Sequence, residues 1–152
     1  MAEDQYVVFS LNDEEFGINI DKVREIVQPR KIVKLPQSLD FIEGIINLRG
    51  EIIPIVDLKK RYYGTKTETN ETTRIIIVDL GDWDIGIIVD NVSEVQTLDQ
   101  SQITVLPSFV LQFSARSGLR GVGKINNRLV ILLDLSLAFS GEEKEMLLEA
   151  TN

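Results

Sequence analysis

The sequence contains an internal repeat, and that fact limits its possible folds more than any other. Tyr6–Val27 (YVVFSLNDEEFGINIDKVREIV) and Ile75–Gln96 (IIIVDLGDWDIGIIVDNVSEVQ) align without a gap. They share Leu11/Leu80, Asp13/Asp82, Gly17/Gly86, Ile18/Ile87, Asp21/Asp90, Val23/Val92 and Glu25/Glu94. A second pair follows: Gly44–Leu58 (GIINLRGEIIPIVDL) and Gly121–Leu135 (GVGKINNRLVILLDL), each ending in an aliphatic strand and Asp-Leu. Short runs of Ile and Val separated by turn residues predict small β-barrels or sheets rather than a βαβ sheet. Two copies of such a unit meet at a seam, and a seam is where a binding module places its site. Positions where the copies differ are therefore candidates for function.

Length and composition narrow the function classes. At 152 residues the chain is one domain, while each half alone is marginal in size. There is no His and no Cys. Ser-His-Asp and Cys-His catalysis, zinc sites of the usual kind, iron–sulfur clusters, disulfides and a phosphohistidine acceptor are all excluded. No metal and no cofactor is expected. A net charge of −8 argues against nucleic acid, and the one basic cluster, Lys59-Lys60-Arg61, is short. No apolar stretch is long enough for a membrane helix, and no secretory signal opens the chain.

Along the chain, Tyr6–Leu11, a turn at Asn12-Asp13 and Glu15–Ile20 predict a hairpin, repeated around Gly81-Asp82. Val23–Val27 and Val92–Leu98 fit either an extended piece or a helical turn. Arg30–Leu35 reads as a strand, and Pro36–Glu43 as a loop with a turn of helix. Gly44–Leu48 and Glu51–Val56 form a second hairpin about Arg49-Gly50, repeated about Asn126-Asn127. Asp57–Tyr63 predicts a short helix capped by Asp57 and stopped by Gly64. The polar segment Gly64–Thr73 reads as a linker between the copies. The second copy carries about eight extra residues around 109–119. Glu142–Ala150 reads as an amphipathic helix.

The motifs divide into structural and functional. Gly118–Lys124 matches GxxxxGK, but Ile125 stands where a phosphate loop needs Ser or Thr, and a strand follows where a helix is required. Gly17 and Gly86 sit inside strands, the signature of a bulge or a close approach. Asp57 and Asp134 follow buried strands and suit helix caps better than acid–base work. Glu25 has a twin in Glu94, whereas Arg49 is replaced in the second copy by Asn126. An Arg in a tight turn presents a planar fork of donors suited to a carboxylate, or is simply a solvated hairpin tip.

DEEFGINIDKVREI, FIEGIINLRGEIIPIVDL and GIIVDNVSEV, in this order, resemble the CheW-type chemotaxis coupling proteins over nearly the whole chain. The resemblance implies one domain over 1–152, mainly β, built as two five-stranded SH3-like barrels around a shared core. Sub-barrel 1 is expected over about 12–81. Sub-barrel 2 is expected over about 82–140 plus strand 5–11, followed by a C-terminal helix over about 142–150. The first strand is expected to complete the second barrel and the strand after the linker to complete the first. The resemblance also implies a non-enzymatic cytoplasmic scaffold, recruited to membrane receptor arrays without inserting into the bilayer. Its implied partners are the regulatory domain of the histidine kinase CheA and the cytoplasmic tip of chemoreceptors.

By motif position, Val23, Glu25, Gly44, Arg49, Gly86, Val92 and Val95 match the family's coupling positions. Val23, Val92 and Val95 are expected to line a groove for an apolar helix stripe, with Glu25 and Arg49 at its rim. Gly44 and Gly86 are expected to act only through the fold. Alternatives are the regulatory domain of the kinase itself, the coupling half of a fusion, or a phosphate-binding enzyme. Met1 stands directly before the first strand, and no receiver or kinase core follows the last helix, so a free-standing coupler is expected.

Overall fold

A computed structural model describes residues 3–36, 39–107 and 118–149. Most of the extra segment around 109–119 lies outside the described residues. Among the described residues there are eleven strands: β1 (Glu3–Leu11), β2 (Glu14–Asn19), β3 (Val23–Val27), β4 (Ile42–Leu48), β5 (Glu51–Asp57), β6 (Arg74–Asp79), β7 (Asp84–Val89), β8 (Asn91–Asp99), β9 (Ile103–Val105), β10 (Leu119–Ile125) and β11 (Arg128–Leu133). Two α-helices are described, α1 (Leu58–Tyr63) and α2 (Gly141–Glu149).

The strands form two sheets, in the orders β3-β6-β7-β5-β4 and β8-β1-β2-β11-β10-β9. The β1–β2 hairpin of the first copy thus sits among strands of the second, joined to β8 on one side and, in parallel, to β11 on the other. The β6–β7 hairpin makes the reciprocal move, between β3 and β5. The exchange is wider than the single strands expected from the sequence, because each strand carries its hairpin mate with it. β2 therefore lies with the second copy's strands, and β7 with those of the first. Among the described residues no ladder joins the two end strands of either sheet, so closed five-stranded barrels are not formed.

The exchanged strands explain their own composition. They are buried on both faces, which demands continuous aliphatic runs rather than alternation. Val7, Phe9 and Leu11 face a core shared by both sheets, and Val8 faces a smaller core with Leu98, Ile125, Val130 and Leu132. In β6, Ile76 and Val78 face the shared core while Ile75 and Ile77 face a second small core with Ile46, Leu48, Ile53 and Ile55. Each small core is built from strands of one sheet, so each sheet curls upon itself. Gly17 and Gly86 lie opposite these small cores. A Cβ on Gly86 would sit 2.5 Å from Ile55 Cδ1 and one on Gly17 3.2 Å from Leu132 Cδ2. Gly121 and Gly123 of the GxxxxGK stretch lie in β10, where a Cβ would meet Thr104 O at 2.8 Å and Leu98 Cδ1 at 2.7 Å.

Several local expectations are met by specific hydrogen bonds. Asn12 and Asp13 adopt φ of 51° and 68°, and Arg49 and Gly50 adopt 52° and 89°, as two-residue hairpins with two left-handed positions require. Asp57 caps α1 by accepting from Lys60 N, and Gly64 closes it at φ 75°. Two expectations change. Arg30–Leu35 makes only one bridge, Val33 with Ile45, between flanking prolines that cannot donate to a ladder. Gly64–Thr73 is not a free linker, since Thr67 and Thr73 are buried. Thr67 gives both its N–H and its hydroxyl to the fully buried Asp57, each at 2.8 Å.

Helix α2 is fixed at its first turn. Ser140 and Glu143 form a reciprocal capping box, and Leu147 is fully buried. Glu143 also takes both arms of the Arg61 fork, at 2.6 and 2.9 Å. Arg61 lies over the rings of Phe41 and Phe139, 4.6 and 5.4 Å from their centroids. Partial burial works to raise the Glu143 pKa, but the Arg61 hydrogen bonds and the Ser140 N–H outweigh it and hold the carboxyl below the usual glutamate range. A lowered pKa contributes stability above the unfolded-state value and loses it as the pH falls through the folded-state value. The protection factor of the Leu147 amide, its exchange rate set against the intrinsic rate at each pH, is therefore expected to fall in acid, below about pH 4.5. In Glu143→Gln the protection factor is expected to be lower at neutral pH and to lose this step; an unchanged acid profile in the variant would show that Glu143 is not the group responsible.

Candidate functional site

The seven motif positions fall into four settings. Gly44 and Gly86 are interior. Gly44 has φ 145°, and a Cβ there would lie 2.1 Å from the Val33 carbonyl oxygen. Val23 and Val92 are half-buried on the end strands β3 and β8 and pack against the shared core, one from each sheet. Val23 stands opposite Val78, and Val92 opposite Phe9, which is itself the repeat twin of Val78. Val95 is 51% exposed on β8. Glu25 and Arg49 are brought into direct contact.

The Glu25–Arg49 pair is made by a bulge. Between Val23 and Glu25 the register with β6 slips by one, so Arg24 is the extra residue. Successive side chains on a regular strand point to opposite faces, but here two consecutive charges reach the same hairpin tip. Arg24 Nη1 binds Glu51 Oε2 at 3.2 Å and also Asp84. Arg49 meets Glu25 with both arms, Nη1 on Oε1 at 3.0 Å and Nη2 on Oε2. The Arg49 hydrogen bonds hold the Glu25 carboxyl below the usual range. The Arg49 fork, expected to be offered to a partner, is filled within the chain.

The second copy repeats the device with a different residue. β8 bulges at Ser93, and Glu94 is bound by Arg128, which also bridges Glu15 at 3.2 Å. Arg49 has no positional twin, yet Arg128, two residues beyond Asn126, does the same work. Sequence reading missed it because alignment compares positions. The signal was the conserved pairing need of Glu94: its strand twin is bridged by the facing hairpin, and Arg128 opens the corresponding strand.

A groove of about 640 Å³ lies elsewhere, beside Ile18, Val78, Leu80 and Asp134. None of the seven motif residues lines it. Among the described residues no group of His, Cys, Asp and Glu is arranged to hold a metal, and no helix is long and apolar enough to cross a membrane.

The molecule is thus two interlocked sheets, each with an ion-paired bulge and a half-buried valine on an end strand. The chain matches the model of the CheW-like domain over residues 5–143. It is 37% identical over 139 residues to the chemotaxis protein CheW of Klebsiella aerogenes, covering 91% of this chain and 83% of that one. It is 32% identical over 142 residues to that of Bacillus subtilis, covering 93% and 90%. The crystal structure of the scaffolding protein TtCheW from Thermoanaerobacter tengcongensis superposes with a TM-score of 0.82 at 38% identity, covering 97% and 94%. The chain belongs to the CheW-like family, and it is a chemotaxis coupling scaffold.

Proposed function

We propose that the chain joins the cytoplasmic tips of chemoreceptors to the regulatory domain of the histidine kinase CheA, in the cytoplasm and without chemistry of its own. The family match supports the coupling, and one observation supports the site: bulged end strands that pin Glu25 to Arg49 on one sheet and Glu94 to Arg128 on the other. Each bulge stands beside a half-buried valine on the shared core, Val23 or Val92. An apolar helix stripe laid on Val23, Val92 and Val95 gains burial, and the ion pairs beside it set register. Gly44 and Gly86 serve this surface from behind, by letting the first sheet curl upon itself.

The pair allows a test that separates folding from recognition. Arg49→Glu sets two carboxylates face to face and is expected to lower melting slightly, as exposed pairs do. The double variant Glu25→Arg/Arg49→Glu restores an internal pair and is expected to melt within about 2 °C of the parent. Both are expected to weaken co-sedimentation with receptor fragments and CheA by about tenfold, because a partner reads the position of each charge. Full recovery of the ternary complex in the double variant would reduce the pair to an internal brace and remove Glu25 and Arg49 from the coupling surface.

A further inference from the structure

The internal repeat lets one half of the molecule be read against the other. In the first copy, Thr65–Thr72 runs between two hollows of about 470 and 350 Å³, lined on one side by Lys59, Asp90 and Asn91 and on the other by Ile32, Ile75 and Ile88. Here the segment is anchored. Thr67 gives its N–H and hydroxyl to Asp57, and Thr72 gives its hydroxyl to the Asp90 carbonyl at 2.8 Å. The Asp90 carboxylate is held by Lys59 at 2.9 Å and by the Asn12 N–H at 2.9 Å.

The twin positions in the second copy line the 640 Å³ groove: Asp134 for Asp57, Asp21 for Asp90, Ser136 for Lys59, Tyr6 for Ile75 and Asn19 for Ile88. Here the chain turns away after Leu137 into α2, and no described segment crosses the groove. Both anchoring carboxylates have spare acceptors. Asp134 accepts from Ser136 through Oδ1 alone, leaving Oδ2 without a donor among the described residues. Ser136 stands where the first copy has Lys59, and no ion pair to Asp21 is formed among the described residues. The charged lining is four carboxylates, Asp4, Asp21, Asp79 and Asp134, against Lys22 and Arg120. The walls are apolar, with Val105 72% exposed.

We propose that this groove is a docking site for an extended, basic, Ser- or Thr-bearing segment of another protein, held as the chain's own Thr65–Thr72 is held in the twin position. The hydroxyl and N–H of its Ser or Thr go to Asp134, replacing Thr67 on Asp57. A Lys or Arg from the same segment meets Asp21, replacing Lys59 on Asp90. An apolar side chain covers Val105. The site is separate from the coupling surface, since none of those residues lines it.

The probe is a synthetic peptide with the sequence of residues 64–74, made basic by Glu68→Lys and Glu71→Lys, titrated into the full-length protein and followed by amide chemical shifts. Binding is expected with a dissociation constant on the order of 0.1–1 mM, the range of a short exposed segment. Shifts are expected at Asp21, Val105, Asp134 and Ser136. Replacing Thr67 by Val in the peptide, or Asp134→Asn in the protein, is expected to weaken binding about tenfold, the loss of one charge-assisted hydrogen bond. Val105→Asp, on an exposed wall, serves where Asp134→Asn does not fold. The Glu25→Gln protein is expected to bind the peptide as the parent does, so failure here and failure of the coupling surface are distinguishable. No shifts in the groove, shifts at Thr67 and Asp57 from displacement of the internal segment, or binding indifferent to both Thr67 and Asp134 would each overturn the proposal.

Discussion

Cut between Glu68 and Thr69, the chain is expected to yield two fragments that do not unfold cooperatively alone and that regain the native structure when mixed. Both residues at the cut are exposed, so the break itself costs little. The consequence lies in the sheets. Fragment 1–68 keeps β1 to β5 but loses β6 and β7, which stand between β3 and β5. Fragment 69–152 keeps β8 and β11 but loses β1 and β2, which stand between them. The buried residues of the shared core divide almost evenly, nine before the cut and ten after it. At about 2 kcal/mol for each large apolar side chain re-exposed, either fragment forfeits more than the whole net stability of a domain, about 5–15 kcal/mol. Circular dichroism of each fragment, and then of the mixture, reads the result. A fragment that melts cooperatively alone would show that the hairpin exchange is not what holds the halves together.

Gly44→Val is expected to be the most damaging single change at the seven motif positions, and to act without touching a partner. Two costs add. The residue sits at φ 145°, where a β-branched side chain is strained by about 1–3 kcal/mol. The new Cβ is also driven to 2.1 Å from the Val33 carbonyl, a backbone atom tied at 2.9 Å to Ile45 and unable to swing aside. A total loss of about 3–5 kcal/mol is expected, or roughly 10–15 °C in Tm for a domain of this length. Gly86→Ala is milder, since the contact at 2.5 Å is with Cδ1, the rotatable end of Ile55, and the one at 2.9 Å is with the Cγ2 methyl of Ile75, side-chain atoms both rather than backbone. Coupling by the Gly44 variant is expected to return on cooling, as the folded fraction recovers. Arg49→Glu is expected to remain defective at every temperature. A Gly44→Val protein that melts like the parent and still fails to couple would place Gly44 in direct contact with a partner.

Local features were legible from residue types because each answers to near neighbours. The left-handed turns at Asn12-Asp13 and Arg49-Gly50, the caps at Asp57 and Asp134, and the stop at Gly64 each follow from one or two residues. The run RIIIVD of β6 announces a strand buried on both faces. Arg30–Leu35 has strand-like residues but lies between prolines, and its β-bridge is confined to Val33. The polarity of Gly64–Thr73 suggested a linker because hydropathy cannot reveal that Asp57 waits, buried, ten residues upstream of Thr67. At the candidate site, Glu25 and Arg49 were both identified, but not that they satisfy each other, since that depends on the bulge at Arg24.

Repetition, strand content, turn geometry and the lack of His and Cys were settled by the amino-acid order alone, since they are properties of short stretches or of the inventory. Which sheet each hairpin joins was settled only in three dimensions. The two copies share one hydrophobic pattern, so β2 meets the same local rules beside β5 as beside β11. Only the assembled core, drawing on both sheets at once, distinguishes them. The same physics places Arg128 on Glu94, because pairing across the fold follows distance in space rather than position in the repeat.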